Sequence, residues 1–356
     1  MKQAITCLVT AILVVTGIRL QAQGCVAIRG TAGVCGRPAD HQGWDLNINN
    51  RYFRSYKHFV GREEQKERVE RGTQVINHAW ELTFTVTRIL NERWSFAGTV
   101  PVMAFGRSSL YEHYGQTRHH TGSFGLGDIR FSAYRWLWKP ESSRKGNLQA
   151  GLGIKLPTGI YNYQDYFYRG PDSLVLGPVD QSIQPGDGGT GISAELNGYY
   201  NFSPRLGLYG SFFYLVNPRE VNGTSTARGG TPNATAKKYN TDVMSVPDLY
   251  MARAGISYMA GHFNLAGGLR IEGLPSSDLI GGSRGFRRPG YIISAEPSVT
   301  WSRKKLSYNL ALPVALVRNR VQSNADKRRS TDSGTHIQGD AAFADYLISA
   351  GITYRF

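Results

Sequence analysis

Residues 345–356 read DYLISAGITYRF and end the chain on a bare aromatic ring. Tyr346, Ile348, Ala350, Ile352, Tyr354 and Phe356 share one parity, and Asp345, Ser349, Gly351, Thr353 and Arg355 fill the other. A period of two marks a strand with one apolar and one polar face. In a soluble domain the last residues usually fray and gain nothing from a large ring. The solvent met by the apolar face therefore decides the fold.

The same alternation recurs along the chain. WDLNINNRY sets Trp44, Leu46, Ile48 and Tyr52 against Asp45, Asn47, Asn49 and Arg51, and NLQAGLGIKL sets Leu148, Ala150, Leu152, Ile154 and Leu156 against Gln149, Gly151, Gly153 and Lys155. YMARAGISY and FNLAGGLRIEG repeat it with Arg253, Arg270 and Glu272 on the polar side. Segments of this kind predict about twelve strands. Their connections alternate between short (near 90–93, 139–146, 203–205, 260–262 and 302–305) and long (54–74, 106–125, 157–189, 217–247, 274–289 and 318–340). GREEQKERVERG, at 61–72, is charged all round and predicts a short solvated helix inside a loop.

The N-terminus has the layout of a secretory signal. Lys2 precedes the apolar run AITCLVTAILVVTGI, and RLQAQG follows with small residues suited to cleavage near Ala22. Residues 1–22 are thus expected to leave, 23–41 to form an N-terminal periplasmic segment, and 42–356 to form the main body. The chain carries 41 Lys+Arg against 26 Asp+Glu, a net charge of +15, and loss of Lys2 and Arg19 brings the mature chain to about +13. An exported chain does not meet the genome, so nucleic acid is not an expected partner. Cys25 and Cys35 stand ten apart in an oxidising compartment, where a disulfide is the default expectation.

An antiparallel meander with tight turns at one end and long loops at the other matches a transmembrane up-and-down β-barrel, with short periplasmic turns and long extracellular loops. A soluble β-sandwich could not bury Asn, Glu, Arg and Lys on its polar parity, whereas a wet lumen can. Aromatics at the ends of the apolar faces (Trp44, Tyr52, Trp94, Tyr200, Tyr214, Tyr250, Tyr258, Tyr291, Trp301 and Tyr354) suit the two membrane interfaces. The last octet resembles the C-terminal assembly signal of outer-membrane barrels: a polar Ser349, Gly351 two residues on, then Tyr354 and Phe356. The expected location is the outer membrane of a Gram-negative bacterium. The expected partners are outer-membrane lipid, the barrel assembly machinery and a small-molecule solute.

No catalytic constellation is apparent. His119 and His120, with His113 nearby, are the nearest approach to a metal cluster, but adjacent strand residues face opposite ways. His78 has apolar parity with no serine of matching parity beside it, as a membrane-embedded lipase would need. Neither an enzyme nor a cofactor site is expected.

GLGDIRFSA (125–133), GLGIKLPTG (151–159), VPDLYMARAGISY (246–258) and the GFRRPGY loop (285–291) with its flanking strands resemble the outer-membrane barrels of the meta-pathway phenol-degradation and transporter family. The resemblance runs from about residue 125 to the end and implies passage of small molecules, with no catalytic residues. Twelve strands about 4.8 Å apart and tilted about 40° close to a backbone diameter of roughly 25 Å, so a narrow path fits and a wide pore does not. Lys155, Glu195, Arg253, Arg270, Glu272 and Glu296 are the expected pore-lining charges, with Arg287 and Arg288 folding inward from their loop to face Glu272 and Glu296. The basic balance suggests a mild preference for anionic or aromatic solutes, carried by Arg253, Arg270, Arg287 and Arg288. The alternatives are a structural or adhesive barrel acting through basic extracellular loops, and a membrane-embedded lipid-modifying enzyme.

Overall fold

Strands whose two faces differ this sharply must separate two solvents, and closing the sheet on itself does so without leaving an edge. The computed structural model describes residues 42–139, 142–143 and 145–356. The signal segment and Cys25 with Cys35 lie outside the described residues. Twelve antiparallel strands form a closed barrel. They are β1 (Gly43–Val60), β2 (Ile76–Ile89), β3 (Trp94–Ser109), β4 (His119–Leu126 and Arg130–Trp136), β5 (Gly146–Lys155) and β6 (Gly191–Asn201). There follow β7 (Leu206–Val216), β8 (Leu249–Ala260), β9 (Phe263–Leu274), β10 (Gly290–Ala295 and Ser298–Arg303), β11 (Leu306–Ala311 and Val314–Arg320) and β12 (Ala341–Arg355). Each strand pairs with its neighbours in sequence, and β12 pairs with β1 over Asp45↔Arg355 to Phe59↔Ala341. Both ends of the described chain lie at the short-turn, periplasmic side.

Burial is inverted relative to a water-soluble protein. Leu152 is 67% exposed and Ile192, opposite Ile154 on the paired strand, 56%, whereas Lys155 is 6% and Arg270 4% exposed. The outer surface meets hydrocarbon, where an exposed leucine costs nothing. From Trp80 to Arg88 the outward face of β2 covers nine residues, within the roughly 9–11 that a tilted strand needs to cross a bilayer. Inward glycines make room for lumenal rings: a Cβ on Gly151 would meet the Tyr134 ring at 2.6 Å.

Three strands are broken where the sequence forbids a continuous ladder. Pro297 splits β10 and Pro313 splits β11, since neither has an N–H to give. In β4 the break falls at 127–129, where Gly127 approaches Met103 and Pro101 so closely that a Cβ would stand 2.9 and 3.0 Å from them.

Two stretches read as loops from the sequence are strand. β1 continues through Arg54 to Val60, and His119–Leu126 pairs with β3 from Ser109↔His119 to Val102↔Leu126. Bulges between Phe53 and Ser55 and between Ser55 and Lys57 break the parity of β1 there. Above the membrane both faces are polar or covered by loops, so alternation no longer marks a strand. The charged loop at 61–72 does form a helix, α1 (Lys66–Glu70). Two further loop helices are α2 (Ala234–Lys238) and α3 (Asn324–Ser333), the latter opened by a reciprocal capping box between Ser323 and Asp326.

Candidate functional site

The lumen is crossed by ion pairs. Arg51 lies 3.6 Å from Glu81 and Arg130 3.2 Å from Glu195, whose carboxylate also accepts from the Tyr134 hydroxyl at 3.1 Å. Arg270 donates to Glu272 at 2.8 Å and lies 3.5 Å from Glu296, which also stands 3.5 Å from Arg253. Lys155 pairs with Asp187 and lies 3.7 Å from Asp128. Of the six lumenal charges expected from parity, Lys155, Arg270, Glu272 and Glu296 are buried and Glu195 and Arg253 half-buried, and each of the six meets an opposite charge.

Arg287 and Arg288 also fold inward, but not onto Glu272 and Glu296. Arg287 makes a two-pronged contact with Asp278 at 2.6 and 2.8 Å, and Arg288 pairs with Asp180. Glu272 and Glu296 are already matched by the strand arginines Arg270 and Arg253, which sit closer in register.

Asp180 anchors a cluster that parity could not reveal, because most of its members come from loops. Besides Arg288 it lies 3.4 Å from Arg107 and 3.6 Å from Arg228. Glu112 accepts from Arg107 at 2.7 and 2.8 Å and from Arg228 at 2.7 Å. The cluster ties the loops 110–118, 156–190, 217–248 and 275–289 to the end of β3. Burial opposes ionisation of Asp180, yet Arg107, Arg288 and Arg228 hold its carboxyl well below the ordinary range. Glu112 is likewise held low by Arg107 and Arg228 against the cost of its burial. A second anchor, Asp248, is fully buried and accepts from the Asn217 N–H at 2.7 Å, the Leu279 N–H at 2.9 Å and the Tyr214 hydroxyl at 3.0 Å. The one sequence signal for Asp180 was its spacing from Ser182, whose N–H it caps at 3.0 Å to start a short 3₁₀ turn.

Beneath these loops lies a cavity of about 200 Å³. Its apolar lining comes from Phe213, Leu215 and Leu249 on β7 and β8, from Met244, and from Phe53 and Phe105 on β1 and β3. Its polar lining comes from Asn47, Asn49, Thr83, Thr85 and Thr99, with Arg51, Glu81, Arg130 and Lys155, and the Arg130 guanidinium lies over the Phe213 ring, 5.1 Å from its centroid. Gln181, Ser182, Gln184 and Arg288, from the inward loops, also line it. The charges in its wall are matched, so the lumen presents polarity without a large net positive field.

His113 and His119 serve packing. His113 Nδ1 accepts the Tyr168 N–H at 3.1 Å, and His119 stacks on Tyr168 with ring centroids 3.8 Å apart. Burial, followed by the nearby His119, pushes the His113 pKa down to about 4. Among the described residues no group of three His, Cys, Asp or Glu side chains is placed to hold a metal ion. His78 meets the Tyr52 hydroxyl at 2.9 Å on the outer surface.

Of the residues expected to form an assembly signal, Gly351 faces the lumen, where a Cβ would stand 2.5 Å from Asn309 Oδ1 and 2.9 Å from Asn49 Oδ1. Tyr354 and Phe356 face outward, with ring centroids 5.8 Å apart.

An outer membrane channel from Pseudomonas putida F1 shares this architecture, with a TM-score of 0.57 at 11% identity, over 90% of this chain and 100% of that one. The chain is an outer-membrane barrel by fold. The translocator domain of the autotransporter NalP from Neisseria meningitidis (TM-score 0.45, 12% identity, 89% and 90% covered) and the Ralstonia pickettii toluene transporter TbuX (0.43, 11%, 95% and 99%) are more distant. No family model matches the sequence, and no curated protein does. Resemblance to the meta-pathway family thus rests on the quoted motifs alone.

Proposed function

We propose that this barrel is a channel for small solutes with an aromatic or apolar body and a polar group. The observation that carries this reading is the cavity beneath the inward loops, lined by both aromatic and polar side chains. At about 200 Å³ it is of the order of the ~150 Å³ cavity that holds a single benzene ring. The apolar side chains take the body of the solute, while threonine, asparagine and paired charges orient its polar group.

Passage requires the loops above to part. The Asp180–Arg107–Arg288 cluster is their main electrostatic tie, and it is cut off from screening water by its burial. A solute reaching the cavity from outside displaces loop contacts near Gln181 and Arg288 and then leaves past Asn47, Thr85 and Thr99 of β1–β3 toward the periplasm. The Pseudomonas putida F1 protein of the same fold is described as a channel, which supports the general reading. Matched lumenal charges make selectivity between anions and cations weak, and the arginines named from sequence act chiefly as wall and loop fasteners. Insertion through the barrel assembly machinery, with Phe356 as the residue it reads, belongs to the same proposal.

The test is uptake of a radiolabelled monoaromatic solute by cells with and without the protein. Uptake that rises with the protein, and falls when Phe213→Glu replaces an apolar lining ring by a charge, supports the proposal. Uptake indifferent to both removes the solute assignment.

A further inference from the structure

Strand register gathers a cationic patch on the outside of the barrel, at the extracellular edge of the lipid-facing belt. Arg54 of β1 stands opposite His78 of β2, and His78 opposite Gly106 of β3. Gly106 stands opposite Gly122 of β4, and His120, two residues from Gly122, shares its outward side. The outward row just below is Tyr52, Trp80, Ala104 and Phe124, with Trp80 54% and Phe124 66% exposed. Cations directly above an aromatic row lie at headgroup level.

Three features separate this patch from ordinary surface charge. Arg54, His78 and His120 are all exposed, and Arg54 and His120 are close enough for both to act electrostatically on the His78 ring. Among the described residues no ion pair joins any of the three to a carboxylate, in contrast to the matched charges of the lumen. Arg54 is steadied instead over the Tyr56 ring, 4.5 Å from its centroid, and His78 by the Tyr52 hydroxyl at 2.9 Å, which leaves its Nε2 for a ligand. The floor between the histidines is glycine: a Cβ at Gly106 would meet nothing within 4 Å, so the surface there is open. An anion between Arg54 and the two imidazoles favours their protonated, donating forms.

We propose that this recess binds the phosphate of a phosphorylated outer-leaflet glycolipid, gripped by Arg54, His78 and His120 while its acyl chains lie over Trp80 and Phe124. The guanidinium fork suits phosphate oxygens, the imidazoles add donors, and the open glycine floor admits the headgroup close to the strands. Free phosphate would engage only the upper half of the site, whereas a lipid engages both rows.

The experiment uses the purified full-length protein in non-ionic detergent, with lipid retention read by native mass spectrometry. A phosphorylated lipid A-type glycolipid should be retained at one per barrel, at least about tenfold more tightly than its dephosphorylated form. Arg54→Gln with His78→Gln and His120→Gln should weaken retention by a similar factor while the barrel keeps its heat-modifiable gel migration. Gly106→Phe fills the recess without removing a charge and should weaken it as well, which keeps the test decisive if the triple variant folds poorly. Millimolar inorganic phosphate should leave the lipid bound. Equal retention of both lipid forms, variants that bind like the wild type, or displacement of the lipid by inorganic phosphate would each overturn the assignment.

Discussion

The backbones of Trp44 and Phe356 exchange two hydrogen bonds, Trp44 N–H to Phe356 O at 3.0 Å and Phe356 N–H to Trp44 O at 2.9 Å. The last residue of the chain thus bonds to the first strand and completes the seam where the barrel closes. A free strand edge in hydrocarbon would leave several costly unpaired groups, so this pairing matters beyond the ring it carries.

Deletion of Phe356 should reduce the amount of heat-modifiable barrel in the outer membrane severalfold, with unfolded chain accumulating in the periplasm. Phe356→Ala keeps the backbone pair and removes only the ring. A strong defect in that variant points to reading of the ring during assembly, and a mild one to the seam. Normal assembly of the deletion would remove Phe356 from both roles.

Asp180→Asn should loosen the loops. Removing one partner from a buried charge cluster typically costs about 3–5 kcal/mol because the others are left uncompensated. Here three arginines, Arg107, Arg228 and Arg288, lose their shared carboxylate. The cost falls on loop packing and not on the strand ladder, so the barrel should still fold. In planar bilayers the variant should open more often or to a higher conductance than the wild type, and unchanged currents would show that the cluster does not hold the path shut.

Acid should act in two stages. His113 titrates at about 4 in the folded loops against an ordinary 6.5, so its contribution is fully present above pH 6.5 and lost as pH falls toward 4. Protonation there competes with the Tyr168 N–H for Nδ1. Protease sensitivity of the hairpin formed by Gln164–Gly170 and Ser173–Pro178 should therefore rise over that window, and His113→Gln should flatten the rise. The depressed carboxyls of Asp180 and Glu112 hold the loop cluster until pH falls below the usual carboxylate range. Channel currents should change only in that second stage.

The two ends of the barrel are open to direct labelling. Single cysteines at Thr231 and Thr335, both exposed in long loops, should react with an impermeant reagent on intact cells, and one at Ser302, at the end of β10 beside a short turn, should not. Ser323 is a poor probe because it caps α3 and is buried. The opposite pattern would invert the orientation.

How much of this was legible in the sequence follows from the solvent on each side. Within the membrane, hydrocarbon outside and a polar lumen inside impose strict alternation, so Leu152 and Lys155, or Ile271 and Arg270, were assigned to opposite faces by counting alone. Above the membrane that contrast disappears, and the upper part of β1 and the His119–Leu126 segment were read as loop. Arg270 was named because it sits on a strand, and Glu296 because the alternation of β10 carries through its break. Asp180, Glu112 and Arg228 were not, since nothing in a glycine-rich loop shows that it folds back into a barrel. The partners of Arg287 and Arg288 were misassigned for the same reason: Asp278 and Asp180 lie in loops whose paths only the three-dimensional structure supplies.

The central claim is that the lumen conducts and that the inward loops set how well. Single-channel recording of the purified protein in planar bilayers tests it most directly. The account predicts small, infrequent openings with weak ion selectivity in a salt gradient, converted to larger or more frequent ones by Asp180→Asn. A barrel that inserts but passes no current in either form would contradict it.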